Sequence, residues 1–172
     1  MSSTARLLAA PRLAPALLIG ACLAALGTAL FAQYVGGLPP CELCIWQRWA
    51  YAAAIALLLP GLFLGGRPAA RAVVLTLGGL AFLAGAGISL FHAGVEQGWW
   101  QGLSGCSASF NPSGSLEDLR AQIFAAPIAK CDEIPWSLFG LSIAGWNALA
   151  SLALAGLAFA AAWATARRRR HC

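Results

Sequence analysis

Apolar residues in this chain fall into four long, nearly uninterrupted runs, roughly 13–35, 45–64, 72–93 and 138–166, and the stretches between them gather the charges and prolines. A helix needs about 20 mostly apolar residues to cross a hydrocarbon core, and each run reaches that length. A transmembrane strand needs only about half as many and alternates apolar with polar positions, so continuous runs of this length exclude a barrel. The first, third and fourth runs are rich in Ala, Gly and Ser, as in Gly78-Gly79 and Gly85-Ala86-Gly87. Small residues let helix backbones approach closely in lipid. The pattern predicts an all-α membrane protein, a compact bundle of four transmembrane helices forming a single membrane domain over residues 1–172.

Composition agrees, with 60% hydrophobic and only 10% charged residues, against about a quarter charged in a soluble domain. The basic residues then orient the bundle. Arg6 and Arg12 precede the first run, Arg67 and Arg71 lie between the second and third, and Arg167 to Arg170 follow the fourth; Arg48, Arg120 and Lys130 lie on the other side with the six acidic residues. The positive-inside rule predicts cytoplasmic termini, a cytoplasmic Arg67 loop and two outward loops, about 36–44 and 95–137. The net charge of +5 is thus a topology signal and calls for no nucleic-acid partner; the terminal arginine run suits an anionic lipid surface. Ile19-Gly20-Ala21-Cys22 resembles a lipoprotein cleavage box, but hydrophobicity continues for about three helical turns beyond it. An uncut span is therefore expected, with Cys22 as a small packing residue.

The two outward loops differ. Pro39-Pro40 stiffens the short first loop ahead of the second span. The second is too long for a simple connection. In it, Ser115-Leu116-Glu117-Asp118 resembles a capping box, and Leu116, Leu119, Ile123 and Phe124 recur at helical spacing, predicting a short amphipathic surface helix ended by Pro127. Trp99, Trp100 and Trp136 bracket the loop as interfacial anchors.

Cysteines sort by compartment. Cys41, Cys44, Cys106 and Cys131 lie in the outward loops, Cys22 in a span and Cys172 on the cytoplasmic side. Disulfides persist in oxidising compartments, so the outer four can pair, in any of three ways. The local solution joins Cys41 to Cys44 and Cys106 to Cys131. Closing a loop of about 26 residues restrains the unfolded chain by about 3.5 kcal/mol, so the second pair alone suits a structural staple as well as a redox role. The Cys41-Glu42-Leu43-Cys44 ring is too small to gain much chain entropy, and a dithiol of this spacing favours redox chemistry.

The surroundings of Cys44 point the same way. A second helix starting near Cys44 would turn its unpaired first-turn amides toward a thiolate, and Arg48, one turn later, adds a positive charge. Arg48 is alternatively an arginine snorkelling to the interface. His92, near the outer end of the third span, can pair with Glu96 one turn on or hydrogen-bond a polar ligand between helices. Cys44, Arg48 and His92 together could surround an electron acceptor bearing carbonyl oxygens, for which a quinone dissolved in the bilayer is the obvious candidate. Asn147 reads as a helix-to-helix hydrogen bond.

Cys41-Glu42-Leu43-Cys44-Ile45-Trp46-Gln47-Arg48 in the first outward loop, Cys106 and Cys131 in the second, Cys131-Asp132-Glu133-Ile134-Pro135-Trp136-Ser137, and Gly145-Trp146-Asn147 resemble the disulfide bond formation protein B (DsbB) family over nearly the whole chain. The resemblance implies an enzyme of the bacterial inner membrane, with its redox loops in the periplasm. Such an enzyme reoxidises a periplasmic thioredoxin-fold thiol oxidase (DsbA-like) and passes the electrons to ubiquinone or menaquinone. It further implies that Cys106, paired with Cys131, is attacked by the reduced partner, that exchange carries the reducing equivalents to Cys41 and Cys44, and that Cys44 meets the quinone as a thiolate beside Arg48. His92 corresponds by position to a histidine of the family and joins the quinone site on that ground. Two other readings remain. A vitamin K epoxide reductase-like enzyme also uses two cysteine pairs, but carries its Cys-x-x-Cys late in the chain. A structural or metal-binding membrane protein would use the cysteines as staples or zinc ligands, although no second close Cys-x-x-Cys or His pair accompanies them; no metal is expected.

Overall fold

A computed structural model describes residues 12–103, 115–117, 120 and 129–169. Its helices are α1 Leu13–Tyr34, α2 Glu42–Leu58 with a 3-10 continuation Leu59–Leu62, α3 Pro68–Glu96 and α4 Ile143–Arg169. All four are long and apolar enough to cross a membrane, and the protein is an all-α four-helix membrane bundle. The α3–α4 interface is the most extensive, α2 packs on α3, and α1 borders α2.

Small residues make that packing possible. The buried face of α4 runs through Ala144, Ala148, Ser151, Ala155, Ala158, Ala162 and Thr165, the three-and-four spacing of one helix face. On α3 the buried positions include Gly78, Gly79, Gly85, Ala86 and Ser89. A Cβ built on Gly78 would stand 2.6 Å from Leu58 Cδ2, and one on Gly79 2.7 Å from Phe159 Cε1, so the glycines admit those side chains. Leu58, Leu75, Phe82 and Tyr51 fill the centre, with Cys22 fully buried beside them as the packing residue its sequence context suggests. Leu17, Phe31, Leu80, Leu149 and Leu157 point outward, as expected where the solvent is lipid.

Element ends depart from the apolar runs for local reasons. Helix α2 starts at Glu42 because Cys41, extended at φ −76° and ψ 171°, acts as its N-cap. Glu42 then sits in the first turn, where the helix dipole favours an acid. Helix α3 begins on Pro68, whose missing N–H costs nothing in a first turn, and runs one turn past His92 to Glu96. The largest correction falls at the start of the fourth span. Ser137–Leu138 and Leu141–Ser142 form a two-stranded antiparallel hairpin where a helix was expected from 138. Phe139 (φ 52°) and Gly140 (φ 78°) make its two-residue turn, and positive φ at both central positions matches the twist of paired strands. Of the expected surface helix, residues 116, 117 and 120 are helical and exposed; Leu119, Ile123, Phe124 and Pro127 lie outside the described residues.

Candidate functional site

The first cysteine pair sits where α2 begins, at the end of the bundle shared with the C-terminal turn of α3 and the N-terminal turn of α4. The prolines bring the chain in extended, and capping by Cys41 turns its side chain back over the first turn. The Cys44 amide accordingly donates to Cys41 Sγ at 3.3 Å. This corrects the expectation for Cys44: the helix starts earlier, and the amide of its third residue serves the cap, Cys41. The Cys41 thiol in turn donates to Cys44 Sγ at 2.9 Å. That hydrogen bond, reinforced by burial, pushes the Cys41 thiol well above its ordinary value, so Cys41 keeps its proton directed at Cys44.

His92 closes over this pair from α3. Its Nε2 lies 3.5 Å from Cys41 Sγ, and its ring is also hydrogen-bonded to the backbone of Cys131. Cys131 is disulfide-bonded, while Cys22, Cys41 and Cys44 are free thiols. Cys131 is fully buried in one cluster with Cys41, Leu43 and Val95, against which Cys44, Phe91 and Ala129 pack. Three of the four expected cysteines and the expected histidine therefore converge; Cys106 lies outside the described residues. Trp100 closes the end of α3, donating from Nε1 to Phe91 O at 2.9 Å and stacking on the Phe91 ring.

Arg48 is placed differently. One turn beyond Cys44, its guanidinium reaches across to α1, donating to Gln33 Oε1 at 2.5 Å and Ala29 O at 3.4 Å. It lines a groove of about 390 Å³ between α1 and α2 with Leu26, Leu30, Gln33, Tyr34 and Trp49. The groove's wall does not include His92, whose contacts are with the cysteines.

Behind His92 lies a buried polar chain that sequence reasoning saw only in part. Gln47 Nε2 meets His92 Nδ1 at 2.9 Å, Asn147 Nδ2 donates to Gln47 Oε1 at 2.8 Å and to Ser89 Oγ at 2.7 Å, and Tyr51 OH donates to Asn147 Oδ1 at 2.6 Å. Asn147 does join helices, as its position suggested. Gln47 was hidden inside the motif beside Arg48; the signal that could have found it is its place one turn from both Leu43 and Tyr51, on the buried face of α2. Cys41, Cys44 and His92 also bring two sulfurs and a ring nitrogen within 4.8 Å of one another, a donor set suited to a soft ion such as zinc.

The profile described as "Disulfide bond formation protein DsbB" matches residues 11–161. The chain belongs to the DsbB family. It is 36% identical over 138 residues to the disulfide bond formation protein B of Aromatoleum aromaticum, covering 76% of this chain and 79% of that one. It is 32% identical to the protein of that name from Xanthomonas oryzae pv. oryzae, covering 88% and 90%, and 32% identical to that of Polaromonas, covering 86% and 88%. No solved structure matches. DsbB membership together with four spans makes this a multi-pass membrane protein of disulfide bond formation, with a thiol oxidoreductase role.

Proposed function

We propose that this protein reoxidises a soluble, thioredoxin-fold disulfide oxidase on the outer side of a bacterial inner membrane and passes the electron pair to membrane quinone. The observation that carries the reading is the burial of disulfide-bonded Cys131 against the free Cys41–Cys44 pair. A soluble dithiol cannot enter lipid and a quinone cannot leave it, so the pair must be handed between sulfurs at the interface.

A partner thiolate attacks Cys106 of a Cys106–Cys131 disulfide, and the electron pair leaves on Cys131. Cys131 attacks Cys41 of the oxidised first pair, forming Cys131–Cys41 and releasing Cys44 as a thiolate. The partner's second thiol expels Cys106 and leaves with a disulfide. Cys106 then recloses on Cys131 and frees Cys41, so two electrons end in the first pair.

The groove beside Arg48 suits a quinone head group. Its apolar walls, Leu26, Leu30 and Trp49, accept an amphipathic ring, and the Arg48 guanidinium carries more donors than Gln33 and Ala29 use. Arg48, Gln33 and Tyr34 would hold it, while His92 serves the cysteines. When bound, quinone supplies a two-electron, two-proton oxidant. What the chain contributes is a dithiol whose sequence neighbours Pro40 and Ile45 line the groove, a fixed cation one turn from Cys44, and apolar walls. Ubiquinone and menaquinone share the carbonyls this donor set addresses.

Two variants separate the halves of the relay. Cys44→Ala abolishes quinone reduction, whereas Cys106→Ala stops exchange with the reduced partner and spares quinone reduction by the chemically reduced first pair. Wild-type quinone turnover by Cys44→Ala, measured by absorbance without oxygen, would refute the assignment.

A further inference from the structure

We infer that Gln47, Asn147, Ser89 and Tyr51 form a positioning chain that keeps the His92 proton on Nε2, aimed at Cys41 Sγ, so that His92 assists departure of Cys41 when a Cys131–Cys41 disulfide is cleaved. The inference rests on the relay proposed above and assigns work to residues that relay does not use.

The direction of every link is fixed by its neighbour. Ser89 Oγ donates to Gly85 O at 2.8 Å, spending its proton, so it can only accept from Asn147. That turns Asn147 Nδ2 toward Ser89 and Gln47, and Oδ1 toward the Tyr51 hydroxyl. Gln47 Oε1 is then occupied by the Asn147 amide, which leaves Gln47 Nε2, a donor, facing His92 Nδ1 at 2.9 Å. Two donors cannot share that contact, so Nδ1 carries the lone pair and Nε2 the proton. The chain draws on α2, α3 and α4, and Gln47, Ser89, His92 and Ser151 are all buried, where an unmet polar group is costly. Tyr51 OH also contacts Ser151 Oγ at 3.2 Å, anchoring the far end.

The groups facing Nε2 are consistent with a donor there. Cys41 Sγ lies at 3.5 Å and the backbone of Cys131 is hydrogen-bonded to the ring. Glu96 Oε1, at 3.9 Å, is beyond hydrogen-bonding length, and its other oxygen accepts from the Ser142 hydroxyl. A proton on Nε2 also leaves no lone pair on the nitrogen that a metal ion between the two sulfurs would need.

The consequence falls on one step. When a thiolate attacks Cys131 Sγ of a Cys131–Cys41 disulfide, the new bond forms at Cys131, the old one breaks, and the electron pair leaves on Cys41 Sγ. There it meets two N–H donors, Nε2–H of His92 and the amide of Cys44. Losing one donor to a charged sulfur slows such a step about tenfold or more.

Nitrogen-15 NMR of histidine-labelled protein in detergent tests this, since the sequence holds only two histidines, His92 and His171. The wild type gives a single neutral Nε2–H tautomer for His92. Gln47→Met gives a mixture, and its Cys131–Cys41 species, trapped and mapped by mass spectrometry, decays about tenfold more slowly. Ser89→Ala, a milder change, shifts the tautomer in the same direction if Gln47→Met does not fold. A wild-type Nδ1–H tautomer, or a tautomer that neither variant shifts, overturns the inference. The tautomer is read with neither partner nor quinone present, so its outcome is independent of the relay itself.

Discussion

Cys41 and Cys44 are three residues apart and chemically unequal. Cys41 caps α2, takes the Cys44 amide and the His92 contact, and gives its own proton to Cys44. Alkylation goes through the thiolate, and a thiol pushed upward has less thiolate at any given pH. The alkylation rate of Cys41 therefore rises with a midpoint above the ordinary cysteine range of about 8.5. Replacing Cys44 by Ala removes the largest cause and brings the midpoint down. Mass spectrometry of iodoacetamide-treated protein across pH reads both effects, and a wild-type midpoint at or below the ordinary range would contradict them. The motif announced both sulfurs and Arg48 at this scale. It did not reveal which sulfur takes the helix amide, because that depends on a start set by Pro39-Pro40 and the Cys41 cap. Nor did it place His92 against the cysteines and away from the Arg48 groove, since that contact joins positions 51 residues apart.

Among the elements, the helices were legible and their junctions were not. Continuous apolar runs mark spans without needing tertiary information, because lipid forces the backbone to satisfy itself. Leu138 to Leu141 is as apolar as the helix that follows, yet Phe139 and Gly140 take positive φ and turn it into a hairpin. Composition cannot separate a short apolar strand from a helical turn. Close approach between helices yields a sharper expectation. Gly79→Ala places a methyl 2.7 Å from Phe159 Cε1, whereas Gly87→Ala meets nothing within 4 Å. The first costs about 1–3 kcal/mol through overpacking at the α3–α4 interface, and the second is neutral or gains up to about 1 kcal/mol from helix propensity. Thermal unfolding in detergent distinguishes them; equal effects would mean that the two glycines see the same surroundings.

For the whole molecule, the four helices bring a sulfur cluster and a groove to one end. One flank, built from α2, α3 and the chain before the hairpin, holds Cys41, Cys44 and Cys131 together. The other, between α1 and α2, offers an open, mostly apolar groove lined by the Arg48 guanidinium. Helix α2 belongs to both, with Cys44 and Arg48 one turn apart. Family and spans were readable from sequence because the motif is compact and the runs are long. Asn147 was legible as a helix-to-helix hydrogen bond, but the buried chain it forms with Gln47 and Ser89 was not, because that chain exists only once three helices meet. Transfer of electrons from the first cysteine pair to quinone has a stoichiometry that can be counted without any partner. Purified protein carrying reduced Cys41 and Cys44 is mixed with excess quinone under anaerobic conditions, and quinol formed is counted against Cys41–Cys44 disulfide by mass spectrometry. One quinol per chain with one Cys41–Cys44 disulfide is expected; a dithiol that stays reduced while quinone stays oxidised would rule that transfer out.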